Sequence, residues 1–234
     1  MQLTEHRENT LLLADDSPAK ECWFDREWLQ RGNRIDGHSD ASGRNPALFL
    51  KIDGGHFVLR HYYRGGLPGK LIEDAYLWPG LNKTRAYREL KLLEQIQALQ
   101  LPACRPVAAR IERQGFSYRA DLITERLMGC QDLVGALSQA SLSESRWIQL
   151  GQVLARFHQA GVYHADLNAR NILLDSEQFY LIDFDRGEMR KPDRKWQQAN
   201  LDRLQRSLRK EAQRVSGLKW QESDWSLLLK GYRL

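Results

Sequence analysis

Two kinds of hydrophobic spacing divide this chain. Ala47–Ile52 and His56–Tyr63 read as strands, and Asp53-Gly54-Gly55 between them carries the residue types that a tight hairpin turn demands. The period then lengthens. Leu90, Leu93, Ile96 and Leu99 share one side of a helix predicted over about Arg85–Leu99. Pro102 and Pro106 end it, and a second hairpin turns at Gln114-Gly115 with Tyr118–Thr124 as its return strand. After Glu125-Arg126-Leu127-Met128-Gly129 the character changes. Asp132–Gln139 reads as a short helix, and Ser141-Leu142-Ser143-Glu144 has the form of a capping box. The helix it opens runs to about Ala160 with Trp147, Leu150, Leu154 and Phe157 on its buried face, and Gly161 stops it. Ile172–Leu174 and Phe179–Ile182, joined by the polar Asp175-Ser176-Glu177-Gln178, predict a buried hairpin, and the tail from Trp196 to Leu234 is helical in pattern. Residues 1–40 show little periodicity; Trp23, Phe24 and Trp28 are suited there to packing on a sheet. The expected class is α+β: a β-rich N-terminal half with one long helix, then a mainly helical half.

Composition narrows the setting without naming a function. The 234 residues are 42% hydrophobic and 28% charged, ordinary for a folded domain rather than a disordered chain. No run approaches the roughly 18 apolar residues of a membrane span, and the polar stretch Met1–Glu8 has no secretory core, so cytosol is the default expectation. Three cysteines far apart, with no C-x-x-C pair, make disulfides and structural zinc unexpected. The six histidines show no ligand spacing. The net charge of +5 suits an anionic partner, with much of the excess in Arg186–Arg214. From charge alone that stretch reads first as a solvated helical face.

The candidate chemistry lies in two short segments, His164-Ala165-Asp166-Leu167-Asn168-Ala169-Arg170-Asn171 and Asp183-Phe184-Asp185. They bracket the predicted C-terminal hairpin, so Asn171 and Asp183 fall on the same side of it. Phosphoryl transfer needs charge neutralisation and positioning more than covalent help. Asp166 could take the proton of an acceptor hydroxyl, while Asn171 and Asp183 could hold Mg²⁺ through oxygen, with nucleotide phosphates completing the shell.

These segments resemble the catalytic loop H-x-D-L-x-x-x-N and the D-F-G type metal turn of the protein-kinase-like superfamily. The resemblance runs from about Ser42 to Gly187 and implies a two-lobed fold: an N-lobe over 1–124 with an N-terminal extension, a hinge over 125–129, and a compact C-lobe over 130–234, together one kinase-like domain. It implies ATP and Mg²⁺ as cofactors, Asp166 as base, and Asn171 and Asp183 as metal ligands. It also calls for a phosphate-binding cation on the third strand and a Glu on the helix; Arg60 and Glu89 are the candidates. Ser42-Gly43-Arg44-Asn45-Pro46 has only one glycine where a phosphate-covering loop has several, leaving Gly43 as the nucleotide contact. Asn168 stands where most protein kinases carry Lys, and Asp185 where they carry Gly.

The run Val58-Leu59-Arg60-His61-Tyr62-Tyr63-Arg64-Gly65-Gly66, with Tyr118-Arg119-Ala120-Asp121-Leu122 and the Asp183 turn, is similar to the bacterial 3-deoxy-D-manno-octulosonic acid (Kdo) kinases of lipopolysaccharide core assembly. This implies ATP-dependent phosphorylation of a Kdo hydroxyl, the 4-hydroxyl by family, on a lipid A precursor. The implied location is peripheral, on the cytoplasmic face of the bacterial inner membrane, with no nucleic-acid partner expected. Only 49 residues follow Asp185 and no A-P-E element is present, which favours a small or lipid-linked acceptor over a protein. A same-fold kinase for heptose, another alcohol or protein is the alternative; a non-catalytic binding module comes next.

Overall fold

The computed structural model describes residues 1–6, 9–39, 46–63 and 74–233. They form two compact units, Met1–Glu94 with Arg105–Met128, and Gln95–Cys104 with Gly129–Leu234.

The first unit is built on one sheet. Its strands are β1 (Gln2–His6), β2 (Asn9–Leu13), β3 (Ile35–His38), β4 (Leu48–Ile52), β5 (Gly55–His61), β6 (Tyr76–Leu77), β7 (Pro106–Gln114) and β8 (Ser117–Glu125). The order is β1-β2-β7-β8-β5-β4-β3, every pair antiparallel, with β6 also on β8. The Asp53-Gly54 turn has φ of 50° and 82°, the left-handed pair that a two-residue hairpin needs. The sheet has eight strands, more than the two hairpins read from the sequence. The hairpin β1–β2 extends one edge beyond β7, and β3 forms the other edge.

Alternation along β5 sorts its side chains between two faces. Phe57 and Leu59 join Leu50, Ile52, Val107 and Ile123 in a core closed by Trp23, Phe24 and Leu29. Trp23 lies 4.8 Å from Phe57, centroid to centroid. Leu29 sits on the short helix α1 (Arg26–Arg31), whose N-cap Asp25 accepts from Glu27 and Trp28 N–H. Residues 1–40 thus supply three strands, a helix and the side chains that close this core. Arg60 and Tyr62 point the other way, toward α2 (Arg85–Ala98), with which their side chains bond through Glu89.

The second unit holds the remaining elements. These are β9 (Gln131–Asp132), α3 (Leu133–Gln139), α4 (Glu144–Gln159), β10 (Val162–Tyr163), β11 (Ile172–Leu174), β12 (Phe179–Leu181), β13 (Glu188–Met189), α5 (Arg194–Arg214) and α6 (Glu222–Arg233). Asp132 caps α3. The N-cap of α4 is Ser143, not the Ser141 that the capping-box spacing predicted: the Ser143 hydroxyl accepts from Arg146 N–H. Trp147, Leu150, Leu154 and Phe157 of α4 are all buried, and Gly161 ends the helix region at φ 81°. The helical tail is broken into α5 and α6 by residues 215–221. The helices α4 and α6 meet at a pair of glycines. A Cβ on Gly151 would stand 2.0 Å from the Leu228 carbonyl oxygen, and one on Gly231 2.0 Å from that of Ile148. Only glycine permits so close an approach.

Candidate active site

The hairpin β11–β12 sets the geometry of the second unit's chemistry. Its register pairs Ile172 with Leu181, and one step further out Ile182 N–H donates to the Asn171 carbonyl at 3.0 Å. Asp183 therefore begins its turn beside Asn171. A single 3-10 turn, Ala169–Asn171, leads into β11.

Asn168 organises that turn with both ends of its carboxamide. Its oxygen accepts from the N–H groups of Arg170 (2.9 Å) and Asn171 (3.1 Å), while its nitrogen donates to Asp166 Oδ2 at 3.1 Å. A lysine has donors only and could not do both. Asn171 donates its side-chain N–H to the Asp166 carbonyl at 3.0 Å, which fixes the carboxamide plane and the direction of its oxygen.

His164 ties the two motifs together. Its Nε2 is 2.9 Å from the Ile182 carbonyl, and its Nδ1 accepts the Asp166 N–H at 3.2 Å. Those roles assign the neutral Nε2–H tautomer. Burial pushes the pKa of this 2% exposed ring down and keeps it neutral. Phe184 is fully buried, 5.9 Å from Phe157 and 4.8 Å from His164 between ring centroids, and pins the turn from inside. The left-handed residues of this turn are Asp183 (φ 62°) and Arg186 (φ 58°). Position 185 is not among them, so an aspartate there needs no glycine-like backbone.

Helix α5 forms the floor of the loop. Asn200 is buried, donating to the His164 carbonyl at 3.0 Å and accepting its N–H at 3.4 Å. Ser207 Oγ accepts Ala169 N–H at 3.1 Å, and Glu211 receives Arg170 at 2.8 Å. That arginine holds the buried Glu211 carboxyl below the usual carboxylate range. Arg203 Nη1 lies 3.0 Å from Asp166 Oδ1. The sequence reading treated this stretch as a solvated face and missed all four residues. The available signal was a row of polar side chains at 200, 207 and 211 beside the buried row Leu201, Leu204 and Leu208.

In the first unit, Glu89 is 2% exposed and faces inward, which removes the alternative of an exposed helix pair. It accepts from Arg60 through one oxygen and from the Tyr62 hydroxyl, at 2.6 Å, through the other. Arg60 is thus a paired, half-buried arginine and not an exposed strand cation. Tyr62 is a further member of this cluster. Gly43, and Arg64-Gly65-Gly66 of the run similar to the Kdo kinases, lie outside the described residues.

Asn171 and Asp183 offer hard oxygen donors only. Among the described residues no cluster of three or more His, Cys, Asp or Glu side chains could hold a metal. Mg²⁺ is ordinarily held by one or two protein oxygens plus substrate phosphates and water, which fits a two-residue set.

Comparison with known proteins settles the family. The lipopolysaccharide kinase (Kdo/WaaP) family matches residues 27–232. The chain belongs to that family. Among its relatives are 3-deoxy-D-manno-octulosonic acid kinases of Mannheimia succiniciproducens (40% identity, 94% of this chain and 93% of the relative) and Photobacterium damsela subsp. piscicida (42%, 92% and 88%). Another, from Xanthomonas euvesicatoria pv. vesicatoria, is 45% identical over 79% of this chain and 73% of its own. A solved structure of WaaP in complex with acyl carrier protein superposes with a TM-score of 0.60 over 95% of this chain and 88% of that one. At 16% identity the likeness is one of fold, and it agrees with the α+β, protein-kinase-like arrangement. A Kdo/WaaP family chain is a kinase, so the motifs around Asp166 and Asp183 sit in an enzyme that transfers a phosphoryl group to a hydroxyl. None of its described helices is long and apolar enough to cross a membrane.

Proposed function

We propose that this protein phosphorylates a hydroxyl of Kdo on a lipid A precursor, using ATP, and that the 4-hydroxyl is the acceptor, as the sequence resemblance implies. One observation carries the chemistry. The hairpin register and the His164 bridge hold Asp166, Asn171 and the Asp183 turn in one hydrogen-bonded assembly. The names of the relatives support the acceptor class.

In this reading Asp166 accepts the proton of the sugar hydroxyl as its oxygen bonds to the γ-phosphorus, and the bond from phosphorus to the bridging oxygen breaks to release ADP. Asn168 and Arg203 orient the carboxylate, which has lone pairs left for the hydroxyl. Asn171 and Asp183 hold Mg²⁺, which when bound neutralises charge on the transferring phosphates. Arg60, braced by Glu89 and Tyr62, binds nucleotide phosphates; Gly43 is a further nucleotide contact. The two units together act as one kinase-like domain with a connector near 125–129. The protein works peripherally on the cytoplasmic face of the inner membrane, where its acceptor resides.

The test is transfer of labelled γ-phosphate from Mg²⁺-ATP to a Kdo-bearing lipid A precursor, a heptose-bearing core acceptor and a generic protein. Label should pass to the Kdo acceptor. Asp166→Ala should lower kcat by about 10²–10⁴-fold. Asp183→Ala should abolish metal-dependent turnover. Glu89→Ala should raise the KM for ATP more than that for the acceptor. Labelling of heptose or protein alone would reject the acceptor and keep the chemistry, and wild-type turnover in Asp166→Ala would reject the base.

A further inference from the structure

Helix α5 carries seven basic and two acidic side chains, a net +5 equal to that of the whole chain. At about 100° per residue they fall into rows. Leu201, Leu204 and Leu208 are buried, and Asn200, Ser207 and Glu211 beside them hold the catalytic loop. Arg203, Arg206 and Lys210, spaced i, i+3 and i+7, make an exposed third row.

The cations of α5 are not equivalent. Arg209 is paired with Glu222 at 2.6 Å and Arg214 with Glu211 at 3.4 Å. Among the described residues Arg206 and Lys210 have no ion pair. Arg203 makes one described bond, to Asp166 Oδ1, although a guanidinium has five N–H donors. Its side chain is 47% exposed. A row of three cations, the first paired with Asp166 and the next two without an ion pair among the described residues, therefore starts at Asp166, and the loop contacts of Asn200, Ser207 and Glu211 fix where it starts.

We propose that this row is the acceptor's anion-binding edge. Arg203 binds the carboxylate of the sugar acid and so delivers a hydroxyl of the same ring to Asp166, while Arg206 and Lys210 take anionic groups further along the acceptor. A planar fork suits a carboxylate bidentately. The inference rests on the reading of Asp166 as the base of a Kdo kinase, and it names what that site recognises.

The experiment compares the full-length enzyme with two acceptors, a Kdo-bearing lipid A precursor and the same molecule with its Kdo carboxyl as the methyl ester. Wild type should show an acceptor KM roughly 10- to 100-fold higher for the ester, the worth of one charge-assisted hydrogen bond. Arg203→Gln should raise the KM for the acid by a similar factor, leave the KM for ATP unchanged and lose the discrimination between the acceptors. Arg203→Lys should restore part of it. The double variant Arg206→Gln/Lys210→Gln should raise the KM for both acceptors and keep their ratio. Equal use of acid and ester by wild type would overturn the proposal without any variant. So would an Arg203→Gln enzyme that loses only kcat, to the same extent with both acceptors. Failure of wild type to label either Kdo acceptor would reject the kinase reading and this inference with it.

Discussion

At the scale of single residues, the two departures from the protein-kinase pattern have local explanations. Asn168 serves as cap for the Ala169–Asn171 turn and as donor to Asp166, so Asn168→Lys should cost activity although it installs the commoner residue. We expect a kcat reduction of at least about tenfold, the equivalent of one lost hydrogen bond of about 1.4 kcal/mol. Activity equal to wild type would show that the cap is dispensable. His158 gives a pH prediction. It is 2% exposed, its Nδ1 lies 2.8 Å from the Tyr232 hydroxyl, and burial lowers its pKa to about 4. A group with a depressed pKa contributes stability that is complete above its unfolded value, near 6.5, and is lost as pH falls toward 4. The loss is about 3 kcal/mol. Denaturant titrations at pH 7.5 and 4.5 should show a smaller difference for His158→Gln than for wild type; an unchanged difference would contradict the assignment.

At the scale of elements, α4 and α6 are held at backbone contact by Gly151 and Gly231. Gly151→Ala must push α6 away, because the new methyl meets a carbonyl oxygen rather than a pliable side chain. Destabilisation of about 1–3 kcal/mol is expected, read as a lower Tm with the secondary-structure content retained. Nothing in the local sequence announced this crossing, since helical periodicity marks a buried face but not its partner. Hairpins were legible because turn residues encode them: Asp53-Gly54-Gly55 and Gln114-Gly115 each join a real strand pair. The β11–β12 hairpin, which brings Ile182 N–H to the Asn171 carbonyl, was legible for the same reason. The first 40 residues were not, because β1 and β2 extend one sheet edge and Trp23, Phe24 and Leu29 enter the core from a turn and a six-residue helix. The ties from Asn200, Arg203, Ser207 and Glu211 to the loop cross 36 to 41 positions of sequence, where no spacing rule reaches. Arg60 and Glu89 were suggested by resemblance; their inward pairing with Tyr62 needed the fold.

At the scale of the whole molecule, the charge of the chain is the charge of one helix. The +5 of α5 equals the net charge of all 234 residues, so the rest is balanced. An anionic acceptor should therefore feel α5 above all, and its KM should rise as salt shortens the screening length from about 10 Å at 0.1 M. Initial rates from 50 to 400 mM salt should show that rise, with a shallower slope in Arg206→Gln/Lys210→Gln; parallel slopes would place the attraction elsewhere. Family membership fixes a kinase, and in the proposed reading the assembly around Asp166 gives it a base, an ion-binding pair and an acceptor edge within one unit. The most direct measurement of all is single-turnover transfer of γ-phosphate from Mg²⁺-ATP to a Kdo-bearing lipid A precursor by wild type and Asp166→Ala. Rapid labelling of the Kdo residue by wild type, slowed about 10²–10⁴-fold in the variant, is the predicted result; an unlabelled Kdo acceptor, or equal rates, would contradict it.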